Sequence, residues 1–129
     1  MKEKEITVLM VEPGKHPVVT TLKNDLDSLQ KAVSIGAETQ GLIELITIGD
    51  GVCVLCNEEG KLLGLEGNRR IGRDIITGVF YVVGEDGKGD LASLPQAKIE
   101  EYEKRFWEIE HYTQSDVEAA LIMRFFYLC

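Results

Sequence analysis

Ile6-Thr-Val-Leu-Met-Val11, Glu12-Pro13-Gly14-Lys15 and Pro17-Val-Val-Thr-Thr-Leu22 together set the fold. The first run is apolar and rich in β-branched residues, the composition of a central strand. Pro13 and Gly14 stand at the second and third positions of a type II turn, where proline presets φ and glycine accepts a positive value. The last run then returns antiparallel, making a hairpin. Beyond it Asn24 reads as an N-cap. Leu22, Leu26, Leu29 and Val33 recur at spacings of four, three and four, the apolar stripe of a helix that ends near Gly36.

Further along, Leu42 to Ile48 and Val52 to Cys56 read as two strands joined by the hairpin turn Gly49-Asp50-Gly51. Ile75 to Val83 is the longest strand candidate, and Gly84 to Asp90 is a turn leading to a short edge segment at Leu91-Ala92. The last third is helical. Ser93 with Gln96 and Ser115 with Glu118 have the capping-box pattern, and Ile99, Tyr102, Phe106 and Ile109 follow a helical spacing. The expectation is an α+β protein with a mainly antiparallel sheet of about five strands, one helix after the first hairpin and two C-terminal helices. At 129 residues the chain fits one domain, residues 1–129, with a sheet-rich core in 1–92 and a helical extension in 93–129.

Composition narrows the function. A hydrophobic content of 44% belongs with folded domains and not with disordered chains. No apolar run reaches the length of a membrane span. The charged start Met1 to Glu5 leads straight into a strand, so no signal peptide is read and a cytoplasmic location is expected. A net charge of −8 opposes binding to duplex DNA, and it suits either a basic partner or simple solubility. Cys53, Cys56 and Cys129 are read as free thiols. The first two lie three apart on a strand, so they face opposite ways and form neither a metal site nor an easy disulfide. Gly14-Lys15 lacks the rest of a phosphate loop, and Gly84-x-x-Gly87-x-Gly89 joins strands instead of opening a helix. His16 and His111 are scattered. Glu12, Asp50 and Asp74 are a possible source of a general base, but nothing in the sequence makes them converge. No catalytic residue, metal or cofactor is assigned.

Asn68-Arg69-Arg70-Ile71-Gly72-Arg73-Asp74 concentrates positive charge in an acidic chain and reads as a loop. Arginine forks suit carboxylate and phosphate. Asn68, Arg69, Arg70, Arg73 and Asp74, with Lys15 and Asn57, therefore form the candidate ligand site for a phosphorylated small molecule. The competing reading is a solvated loop held by surface ion pairs. On either reading Arg69→Ala and Arg70→Ala are expected to leave folding nearly unchanged, because exposed loop charges contribute little to stability. At the C-terminus Phe125, Phe126, Tyr127 and Leu128 stand side by side, too many for one stripe to hide. They are the candidate interface of a homodimer or higher homo-oligomer, the alternative being burial within one subunit.

From Val8 to about Phe106 the chain is similar to a bacterial and phage family catalogued as domain of unknown function 3846. Val11 to Lys15, Leu26 to Lys31, Cys56 to Lys61, Asn68-Arg69 and Asp74 to Phe80 carry the resemblance, in that order. It implies a small α+β domain of phages, prophages and mobile elements, with no established activity and no catalytic residues. Ser34 to Gly41 reads as a small insertion, and the tail after Ile109 runs past the usual end. The expected function is a non-enzymatic accessory protein that counters host defence. It would act by sequestering a phosphorylated nucleotide through the arginines, or by inhibiting a basic nuclease through the acidic surface. A regulatory or scaffold module and a nucleotide-processing enzyme are the alternatives.

Overall fold

The computed structural model describes residues 3–128, with side chains as far as Met123. Strands β1 (Glu5–Val11) and β2 (Val18–Lys23) form the expected hairpin, with Gly14 at φ 74° and Lys15 N–H donating to Glu12 O at 3.2 Å. Helix α1 (Leu26–Ala32), β3 (Ile43–Gly49) and β4 (Val52–Asn57) follow, then β5 (Gly67–Ile71), β6 (Asp74–Thr77), β7 (Phe80–Glu85) and β8 (Leu91–Ala92). Helices α2 (Gln96–Arg105) and α3 (Gln114–Leu128) complete the α+β fold. The main sheet has the order β2-β1-β7-β4-β3, antiparallel throughout, with β8 pairing β7 beside the end of β1.

Strand alternation divides the core between the two faces of this sheet. On one face Leu9, Val11, Val52, Val54, Phe80 and Val82 pack against Ile99, Tyr102 and Phe106 of the α2 segment. On the other, Ile6, Val8, Leu55, Tyr81 and Val83 pack against Leu29 and Val33 of α1. Cys53 and Cys56 are free and buried, one in each cluster, as the strand reading requires.

Five local readings need correction. Leu22 belongs to β2 and Leu26 is exposed, so the apolar stripe of α1 reduces to Leu29 and Val33. Asp25, not Asn24, caps α1, its Oδ1 accepting from Ser28 N–H at 2.8 Å. Asn24 is buried instead and donates to the carbonyls of Glu3 and Leu91. Pro95 takes the N-cap position of α2, which frees Ser93 Oγ to accept from Thr7 N–H at 3.0 Å. The reciprocal cap of α3 is made by Thr113 and Asp116, two residues before the expected pair. Finally, Ile75 to Val83 is not one strand. Gly78, at φ 74°, breaks it into β6 and β7, and β6 leaves the main sheet to pair with β5.

Candidate functional site

The arginine segment is a β-hairpin and not a loop. β5 and β6 pair Ile71 with Asp74 across the two-residue turn Gly72-Arg73, with Gly72 at φ 62°. Glycine at the first loop position is what a type II′ hairpin turn uses, and that Gly-X signal was present in the sequence. The register shifts between Gly67 and Arg69, a bulge centred on Asn68. A bulge re-aims a side chain, and both Asn68 and Arg69 end up fully buried.

Asn68 Nδ2 donates to Val11 O and Gly78 O, each at 2.9 Å, tying the hairpin to the end of β1. Its Oδ1 accepts from Arg69 Nη1 at 2.8 Å. Arg69 sends Nε and Nη2 to Phe106 O at 3.1 and 2.9 Å, Nη2 also to Lys15 O at 2.8 Å, and Nη1 to Asn68 O at 3.4 Å. These bonds use all the donors a guanidinium has. Phe106 is the C-cap of α2, so the cation also sits at the negative end of that helix. Burial pulls the Arg69 pKa below its ordinary value, with Glu110 and Tyr112 acting in the opposite direction. The expectation that Arg69 is an exposed loop charge is therefore corrected: the side chain is a bolt joining β5, the β1–β2 turn and the end of α2.

The other residues of the candidate site do not gather around it. Arg70 is exposed and lies over the Tyr112 ring at 5.6 Å, while its backbone N–H donates to Glu110. Tyr112 O–H donates to the same carboxylate. Arg73 stands exposed in the hairpin turn, and Asp74 is paired with Lys61 at 3.0 Å. Lys15 is exposed and paired with Glu12 at 3.2 Å. Asn57 is buried, donating to Val33 O and accepting from Glu59 N–H. Phe125, Phe126, Tyr127 and Leu128 lie outside the residues whose side chains are described. What is described of α3 packs Val117 and Ala120 on Ile75 of β6, leaving Ile122 and Met123 exposed. Gly67 makes that approach possible, since a Cβ there would meet Tyr112 Cβ at 2.9 Å and Val117 Cγ2 at 3.3 Å.

Holding Lys15 O and Phe106 O on one guanidinium brings the next residue of each segment together. The rings of His16 and Trp107 stack at 4.0 Å with a 9° interplanar angle, and His16 Nδ1–H donates to Trp107 O at 2.7 Å. Trp107, the chain's single tryptophan, is still 49% exposed. Sequence reasoning missed this pair, because the contact spans 91 positions and depends on a buried cation between them. Among the described residues no group of three or more His, Cys, Asp or Glu is placed to hold a metal ion, and no helix is long and apolar enough to cross a membrane.

Comparison with known proteins gives a family and no neighbour of known function. No curated protein and no solved structure matches the chain. The family model described as a domain of unknown function, DUF3846, matches residues 6–107. That span holds the main sheet, the β5–β6 hairpin, the Asn68–Arg69 bolt and the His16–Trp107 stack, and it stops short of α3. With roughly four fifths of its length matched, the chain belongs to the DUF3846 family.

Proposed function

We propose that this protein is a non-enzymatic accessory protein that binds a basic host protein through its acidic surface, with the His16–Trp107 pair as the anchor. The carrying observation is that this half-exposed aromatic pair is immobilised by Arg69. Tryptophan is enriched among the residues that dominate binding energy, and an anchor fixed in advance loses little entropy on association. A net charge of −8 favours and steers a positively charged partner. The setting in a phage or mobile element rests on the sequence resemblance, and action against host defence is our proposal from that setting, the small size of the chain and the lack of a catalytic constellation in its sequence. Capture of a phosphorylated nucleotide has less support, since Arg69 spends its donors inside the protein and Arg70 lies on Tyr112.

Immobilised protein incubated with host lysate tests this reading. A basic protein should be retained at low salt, released as salt rises, and lost at least tenfold with folded Trp107→Ala. Equal retention by that variant would overturn the anchor. Tight binding of a cyclic or linear nucleotide, lost in Arg70→Ala, would replace the partner reading with sequestration.

A further inference from the structure

The β1–β2 turn that carries His16 has a second side. Glu12 and Pro13 line a cleft of about 310 Å³, whose other walls come from Ile35 after α1, from Leu65 and Glu66 before β5, and from Val79 after β6. Leu65 and Val79 are buried and form an apolar floor, and Ile35 stands 55% exposed at the lip. Gly64 and Gly78 also line the cleft and bring no side chain to fill it. Two of the lining residues are carboxylates and none is basic. Glu66 makes no ion pair among the described residues, and the ion pair of Glu12 is with the exposed Lys15.

We propose that this cleft receives an arginine side chain of the basic partner, its methylenes against Leu65, Val79 and Ile35 and its guanidinium held by Glu12 and Glu66. A long side chain with an apolar stem and a charged head matches an apolar floor with an acidic rim. The planar fork of arginine suits carboxylates better than a point charge does. A phosphate would meet two negative charges and no donor side chain. The assignment rests on the protein-partner reading and deepens it.

The test titrates the full-length, isotope-labelled chain with acetyl-Gly-Arg-Gly-amide and with its citrulline counterpart, followed by amide chemical shifts. The arginine peptide should give saturable shifts at Gly36, Gly64 and Gly78, at least tenfold tighter than citrulline. Glu12→Gln and Glu66→Gln, which preserve shape, should each weaken it about threefold to tenfold. Equal response to citrulline, or shifts that bypass these amides, would overturn the site. Peptide binding without any captured host protein would sink the partner reading and leave the cleft. A partner held equally by wild type and by the double Glu→Gln variant would do the reverse.

Discussion

β4 in the main sheet and β5 in the β5–β6 hairpin are both buried strands, by opposite means. β4 is buried along its whole length by Val52, Val54, Leu55 and the two cysteines, with helices on both faces. β5 is buried where it carries Asn68 and Arg69, and hydrogen bonds to main-chain carbonyls do the work that side-chain packing does elsewhere. An apolar strand tolerates some repacking. A buried guanidinium does not, because each carbonyl it serves becomes an unsatisfied acceptor once it is gone. The molecule therefore has a forgiving core and an unforgiving seam.

The largest expected effect follows from that contrast. Arg69→Ala should destabilise the fold by about 3–5 kcal/mol, as much as Leu55→Ala in the main sheet at about 2–5 kcal/mol, read as shifts in denaturant midpoint. Arg69→Met sharpens the comparison. It refills much of the volume yet leaves Phe106 O and Lys15 O unpaired, so it should recover little. Near-complete recovery would show that packing, not hydrogen bonding, holds the seam.

Alkaline titration probes the apolar side. Burial pushes the Cys56 thiol and the Tyr81 hydroxyl from ordinary values of 9.0 and 10.0 up to about 12. Both raised values mean that the folded state keeps protons the unfolded chain has released. The stability they contribute is full below pH 9 and is lost as pH rises toward 12. Melting temperature should fall across that window, and a thiol reagent should find Cys56 only as unfolding sets in. Thr113→Ala removes the reciprocal cap of α3 and should cost about 1 kcal/mol, visible as faster amide exchange in that helix. Arg70→Ala should be the smallest, within about 1 kcal/mol for an exposed cation over a ring. A loss as large as that of its neighbour would erase the distinction between seam and surface.

Most of the fold was legible because apolar alternation and turn chemistry speak directly. The β1–β2 hairpin, β3, β4, β7 and α2 follow from such patterns. β5 was not, since Gly-Asn-Arg-Arg carries no alternation and its charges suggest solvent. Only Gly72-Arg73 between Ile71 and Asp74 marked the turn. Cap positions slipped where a tertiary demand took the residue first, as with Asn24 and Ser93. Of the candidate site, the Asn68-Arg69 step was visible as unusual, and its direction was not. Sequence gives the charge of an arginine but not the two carbonyls from distant segments, Lys15 O and Phe106 O, that make its burial tolerable.

Those carbonyls also set a time order. Arg69 reaches back 54 positions to Lys15 and forward 37 to Phe106. Its guanidinium cannot shed water profitably until the hairpin turn, β5 and the end of α2 have all arrived. A contact that needs three segments in place at once is expected to close after the sheet that frames it. Losing it should therefore speed unfolding far more than it slows folding, so the bolt governs how long the native state lasts once it has been reached.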